Sequence, residues 1–174
     1  MRIFCFYGVK KVKNSTLPEG PYIIIANHSS YLDIFLLYSI LPKHRFVFLG
    51  KSEILSYPII RTYFKNLNIP VDRKSTRASI AAFDQAKEAL SEGDSLGIFP
   101  EGDRSWDGET AEFIPGSVSM AKKYKIPIRI ASLHGNYLSM PRWADFPRKG
   151  RVHIDFYTIS KEEVEATETS VLET

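Results

Sequence analysis

Residues 22–26 read Tyr-Ile-Ile-Ile-Ala, an unbroken apolar run in which no polar side chain alternates. Turn formers bracket it: Leu17-Pro18-Glu19-Gly20-Pro21 before, Asn27-His28-Ser29-Ser30 after. A strand with one wet face alternates apolar and polar residues, whereas a strand covered on both faces does not. This run therefore calls for a sheet with a layer on each side. Residues 95–99, Ser-Leu-Gly-Ile-Phe, repeat the pattern and are followed by a polar loop, Pro100 to Gly108.

The remaining segments fit around these two. Residues 3–13 alternate loosely and predict an edge strand, and 45–49, 68–71, 127–133 and 152–157 read as further strands. Residues 31–41 predict a helix that stops at Pro42, with Ser29 and Ser30 as its N-cap residues. A second helix is expected over 52–65, broken at Pro58. The clearest is 76–91, where Ile80, Phe83, Ala86, Lys87 and Leu90 recur every three to four residues and Gly93 closes the pattern. Residues 117–124 predict another helix, and 161–167 a polar terminal one, open to fraying. Strands alternating with helices give an α/β fold with a mostly parallel central sheet flanked by helices. The length, 174 residues, suits a single domain over residues 1–159 followed by an acidic tail, 160–174.

Charge divides along the same line. The tail sets Lys161 against Glu162, Glu163, Glu165, Glu168 and Glu173, a net of −4, so the chain's total of +3 leaves +7 in residues 1–159. A basic body suits an anionic partner such as a phosphorylated substrate or an anionic lipid surface, though modest basicity also serves solubility alone. The basic residues are scattered and form no nucleic-acid-binding module, so no nucleic-acid partner is expected. The single cysteine, Cys5, rules out a disulfide within the chain and a cysteine metal site, and fits a reducing, cytoplasmic setting. No apolar stretch approaches the roughly 18 residues of a membrane span.

Two polar clusters follow the two buried runs and can meet at the carboxyl edge of the sheet. In the first, His28 can serve as a general base near neutral pH if a carboxylate orients its other ring nitrogen, and Asp33 is the candidate. Five positions on an ideal helix lie about 140° apart, so the pair meets only if His28 sits in the turn before the helix. The alternative is a plain capping or surface histidine. Gly-x-Ser-x-Gly is absent, so no serine nucleophile is expected and the base would act on a substrate hydroxyl directly. In the second cluster, Phe99-Pro100-Glu101-Gly102-Asp103-Arg104-Ser105, Gly102 permits a tight turn and Arg104 can hold a phosphate bidentately. The competing reading is a charged surface loop. Arg73 and Lys74, ahead of a helix start, could also grip phosphate or simply form surface ion pairs. His134 is the fallback base.

Together these segments resemble the glycerolipid acyltransferase family, of the 1-acylglycerol-3-phosphate acyltransferase type. Its motif Asn-His-x-x-x-x-Asp stands here as Asn27 to Asp33. Its apolar-Asp/Glu-Arg motif matches Val71-Asp72-Arg73, its Phe-Pro-Glu-Gly-Thr-Arg-Ser is residues 99–105 with Asp103 replacing Thr, and its proline motif is similar to Ile126-Pro127-Ile128. The resemblance covers about residues 22–135. It implies a glycerol-3-phosphate-acyltransferase-like fold, His28 as base and Asp33 as its partner. It further implies Arg73, Glu101, Gly102, Arg104 and Lys51 around the acceptor's phosphate, and neither metal nor redox cofactor. The donor would be acyl-CoA or acyl carrier protein and the acceptor lysophosphatidic-acid-like, giving phosphatidic acid. The enzyme would be peripheral on the cytoplasmic face of a membrane. The chain departs from the pattern at Ala131, where a second proline is usual, at Ile114, where a lysine is usual, and at Ile59-Ile60-Arg61, which lacks a glycine.

Two aromatic and basic stretches suit a bilayer surface: residues 54–64 among Lys51, Arg61 and Lys65, and Tyr137, Leu138, Met140, Trp143 and Phe146 among Arg142, Arg148, Lys149 and Arg151. Core packing is the competing explanation. Three rivals to the transferase remain: a lipid- or phosphate-binding relative without turnover, a hydrolase, and an acyltransferase for another lysolipid or an amine-linked lipid.

Overall fold

The structure is a computed structural model that describes residues 2–3, 7–13, 16–41, 45–52, 68–72, 75–114, 116–144 and 148–166. The helix expected over 52–65 and residues Cys5, His44, Arg73, Lys74 and Phe146 lie outside the described residues.

Among the described residues, eight strands form one sheet. In chain order they are β1 (Arg2–Ile3), β2 (Tyr7–Lys13), β3 (Ile23–Ala26), β4 (Phe46–Lys51), β5 (Asn68–Val71), β6 (Ser95–Ile98), β7 (Ile128–His134) and β8 (Gly150–Ile159). Their spatial order is β1-β2-β8-β7-β3-β6-β4-β5. The five from β7 to β5 run parallel, while β8 is antiparallel to β7 and carries β2 parallel to itself. The expected edge strand is thus two pieces, with β1 folded back antiparallel on β2.

The apolar run lies at the centre, as its lack of alternation requires. Tyr22, Ile24 and Ala26 point into one core with Phe46, Phe48, Phe99 and Leu133. Ile23 and Ile25 point into a second core with Leu96, Ala82, Ala86, Val118 and Ile128. Each fully buried isoleucine contributes roughly 1.5–3 kcal/mol by leaving water. The helix α1 (Asp33–Ile40) covers the first face through Ile34, Leu36 and Leu37. On the second face lie α2 (Thr76–Ser91), α3 (Ser117–Tyr124) and α5 (Lys161–Ala166), the last anchored by its buried Val164. A one-turn helix, α4 (Asn136–Ser139), follows β7 and was not foreseen.

The α2 helix has its expected bounds and a Ser75 cap, whose Oγ accepts from Ala78 N at 3.2 Å. Its buried face is the expected one only in part: Ala86 is buried and Leu90 packs against the core. Ala82 and Ala86 are buried, while Ile80 and Phe83 are exposed. Small side chains on the inner face bring the helix close to the sheet.

The strand order fixes where a ligand can sit. The connection after β3 crosses β6 to reach β4, and the connection after β6 crosses β3 to reach β7. The two loops therefore leave adjacent strands in opposite directions, opening a crevice at their carboxyl ends. His28 follows β3, and residues 99–105 follow β6.

Candidate active site

The turn between β3 and α1 is organised by Asp33 rather than by the two serines. Asp33, wholly buried, is the first residue of α1, where a carboxylate also faces the positive end of the helix. Its Oδ2 accepts from the backbone N–H of Ser29 and of Ser30, both at 2.9 Å, and from His28 Nδ1 at 2.8 Å. Its Oδ1 accepts from Asn136 Nδ2. The serines were expected to cap the helix with their side chains. Instead Leu32 holds the cap position without a side-chain bond, and the serine amides bind Asp33. Winding residues 28–30 around one carboxylate oxygen is what brings His28 back over the first turn.

A carboxylate on Nδ1 fixes the tautomer, leaving the lone pair on Nε2. No described residue hydrogen-bonds Nε2. The ring lies flat on Phe99, centroids 4.0 Å apart, and Phe99 stacks on Phe48 at 5.3 Å. The main chain is held as firmly: His28 N donates to Glu101 Oε1 at 2.6 Å, and His28 O accepts from Ser105 N at 2.8 Å. Glu101 Oε2 accepts from Ala111 N at 3.0 Å. Both Glu101 oxygens are thus engaged by backbone, and the loop after β6 is stitched to the base. Asn27 bonds both ways with the backbone of Leu133, at 2.9 and 2.7 Å, tying β3 to β7 just before His28.

Gly102 adopts φ 75°, a left-handed turn that turns the loop outward to Asp103 and Arg104. Asp103 is bracketed by cations. Lys51 Nζ is 2.7 Å from Oδ2, and Arg142 Nη1 is 3.1 Å from Oδ1. Burial pushes the Asp103 carboxyl up, but hydrogen bonds from the Lys51 side chain and the Arg104 backbone, with the charges of Lys51 and Arg142, outweigh it and bring it to about 2. The Arg104 guanidinium lies over the Tyr31 ring, 3.2 Å from its centroid, and its buried Nη1 has no hydrogen-bond partner among the described residues. Arg142 Nη1 also donates to Arg104 O at 2.9 Å.

The structure therefore brings His28, Asp33, Glu101, Gly102, Arg104 and Lys51 to one sheet edge. Arg73 lies outside the described residues, two positions past the end of β5 at Val71. His134, the fallback, pairs through Nε2 with Ser132 Oγ at 2.9 Å and has no carboxylate partner among the described residues. Two residues that sequence reasoning did not place in the site matter here. Asn136 completes the shell of Asp33, and Arg142 completes the cluster at Asp103. The signal for Asn136 was Gly135-Asn136 directly after a strand, a turn dipeptide. Among the described residues no three His, Cys, Asp or Glu side chains cluster as metal ligands would. A cavity of about 360 Å³ borders the site, with Asn27, Ser29, Gly108, His134 and Asn136 in its wall.

The acyltransferase family's model matches residues 7–130. A chloroplastic 1-acyl-sn-glycerol-3-phosphate acyltransferase of Brassica napus is 29% identical over 80% of this chain and 41% of its own length. Proteins of the same name from Chlamydomonas reinhardtii and Cocos nucifera are 32% and 34% identical, over 78% and 74% of this chain and 41% and 42% of theirs. The chain spans less than half the length of these relatives. The crystal structure of the 1-acyl-sn-glycerophosphate acyltransferase PlsC from Thermotoga maritima matches 93% of this chain and 68% of its own, with a TM-score of 0.74 and 24% identity, a likeness of fold.

Proposed function

Since the chain belongs to the acyltransferase family, we propose that it transfers a fatty acyl group from a thioester, acyl-CoA or acyl carrier protein, to the free hydroxyl of a lysophosphatidic-acid-like acceptor. The observation that carries this reading is the 2.8 Å bond from His28 Nδ1 to a carboxylate that every neighbouring donor already saturates. Such a shell holds the imidazole in one orientation with Nε2 ready to take a proton. His28 removes the hydroxyl proton as the oxygen attacks the thioester carbonyl. The tetrahedral intermediate collapses with loss of the thiolate, which takes the proton back from the imidazolium. No covalent enzyme intermediate is required. The product is a phosphatidic-acid-like lipid and a free thiol.

Arg104 is the cation best suited to the acceptor's phosphate, because its buried Nη1 lacks a partner among the described residues. Gly102 shapes the turn that presents it, and Lys51 and Arg73 add positive charge. Glu101 acts by holding the His28 and Ala111 backbones. Neither metal nor redox cofactor enters the reaction.

No helix among the described residues is long and apolar enough to cross a membrane. We place the enzyme on the surface of a bilayer, on its cytoplasmic face, with Trp106, Leu138 and Trp143 as exposed apolar contacts beside Arg142 and Arg148.

The test is His28→Ala, with products from a panel of lysolipids and acyl thioesters followed by mass spectrometry. We expect acceptor-dependent thiol release from the parent protein and a loss of about a thousandfold or more in the variant. Retained transfer would remove His28 as the base. Thiol release independent of any acceptor would assign a hydrolase instead.

A further inference from the structure

The one departure inside the motif of residues 99–105 is Asp103, where the family's motif has threonine, and it lies in the midst of the cations expected to meet the acceptor. Threonine carries no charge. Asp103 carries one, and it engages Lys51 at 2.7 Å and Arg142 at 3.1 Å. It is also fixed in place, since Oδ1 accepts the Arg104 N–H at 2.8 Å. The neighbouring residues Glu101 and Ser105 both bond to the His28 main chain, so this carboxylate belongs to the same loop that builds the base. With Lys51 and Arg142 satisfied internally, Arg104 is the cation left over among the described residues of the cluster.

We propose that Asp103 is a specificity-determining residue that sets the headgroup charge of the acceptor, discriminating against a doubly charged phosphomonoester and in favour of a singly charged phosphate, as in a phosphodiester headgroup. The inference rests on the acyltransferase reading of the site and amends the acceptor proposed above: a lysophospholipid with a phosphodiester headgroup is favoured over lysophosphatidic acid itself. A fixed negative charge repels a bound anion in proportion to the anion's own charge. A phosphomonoester loses its second proton with a pKa of about 6 and is largely dianionic at neutral pH, whereas a phosphodiester stays at one charge. Asp103 therefore costs the dianion twice what it costs the monoanion, and it also offsets part of the charge that Lys51 brings to either.

The experiment measures binding, so that it does not depend on turnover. The full chain and Asp103→Asn are titrated calorimetrically at pH 7.5 with sn-glycerol 3-phosphate and with glycerophosphoglycerol, the soluble headgroups of the two acceptor types. Asparagine keeps the acceptor for the Arg104 N–H while removing the charge, and Asp103→Thr provides a second variant should the loop rearrange. We expect the variant to bind the phosphomonoester about tenfold more tightly and the phosphodiester about threefold more tightly, the ratio that one removed charge implies for two ligand charges. Repeating the phosphomonoester titration at pH 5.5, where it is mostly singly charged, should shrink its gain to about threefold. An equal gain for both ligands, no gain for either, or no binding at all overturns the proposal. Acyl-transfer assays on the same proteins separate the two claims. A charge-dependent shift in binding without any transfer keeps the assignment of Asp103 and removes the transferase reading. Transfer with no shift does the reverse.

Discussion

At the scale of single residues, the site depends on one carboxylate being fully satisfied. Asp33 receives four donors, and the one contributed from far along the chain is Asn136. Asn136→Ala leaves Oδ1 of a wholly buried carboxylate without its donor. Leaving a buried charged acceptor unpaired costs about 1–3 kcal/mol or more, part of it as lost stability and part as a freer Asp33. We expect thermal stability to fall and the transfer rate to drop by about tenfold or more, with the acceptor's KM little changed. A variant with the parent rate would show that Asp33 needs no help from α4. Gly135 makes that helix possible: it sits at φ 86°, and a Cβ there would fall 2.5 Å from Arg151 O. Asp103 gives a pH signature of its own. Its folded pKa of about 2 lies below the ordinary 3.8, so the fold favours its charged form. That contribution is complete above about pH 4 and disappears as pH falls towards 2. Because the side chain is nearly half exposed, screening holds it to about 1 kcal/mol at most. Melting curves of the parent and Asp103→Asn should differ at pH 7 and converge near pH 2. A gap that persists at pH 2 would mean that the loop, not the charge, was disturbed.

At the scale of elements, the sheet reaches into the site through a column of rings. Phe48 on β4 stacks against Phe99, and Phe99 against His28. Gly97 on β6 makes room for it, since a Cβ there would lie 2.4 Å from the Phe48 ring. Gly97→Ala should destabilise by about 1–3 kcal/mol through overpacking and slow transfer by displacing the column. Adding Phe48→Leu should recover part of both. Unchanged melting and activity in Gly97→Ala would disprove the coupling. Elements differ in how plainly the sequence announces them. The lack of alternation in residues 22–26 marks a strand covered twice, and the bounds of α2 follow from cap and period. The inner face of α2 follows only at Ala86 and Leu90, because Ile80 and Phe83 outrank Ala82 in hydrophobicity while alanine wins on fit. The His28–Asp33 pairing was legible as a possibility, but the winding that achieves it uses backbone amides, which every residue carries. Asn136 meets Asp33 across 103 positions, and local pattern is silent on such a contact. The pairing of Asp103 with Lys51 and Arg142 was hidden for the same reason: it depends on the order of strands.

At the scale of the whole molecule, the proposed reaction requires the crevice between β3 and β6 to be presented to a lipid, and the exposed side chains beside it suggest how. Trp106, Leu138 and Trp143 are 64%, 74% and 58% exposed. The two tryptophans are flanked by cations: Arg142 lies over the Trp106 ring at 4.2 Å and Arg148 over Trp143 at 5.5 Å, while Tyr137 donates to Trp106 O at 2.8 Å. Apolar side chains ringed by arginine suit an anionic bilayer, where the rings enter the headgroup layer and the cations meet phosphate. Core packing, the competing explanation for this stretch, does not account for side chains this exposed. Leu138 and Trp143 make no contact with the proposed machinery, so they can be changed without touching it. In co-sedimentation with vesicles containing about a third anionic lipid, Leu138→Ala and Trp143→Ala should each weaken binding by about three- to tenfold, and jointly by more. Arg148→Glu should weaken it further at low salt. Raising ionic strength from about 0.05 to 0.5 M should shrink the difference that Arg148 makes while leaving that of Trp143, since salt screens exposed charge but not apolar burial. Acylation of a short-chain, water-soluble lysolipid should stay at the parent rate in the Leu138 and Trp143 variants. If these variants sediment with vesicles as the parent does, this face is not where the bilayer is met.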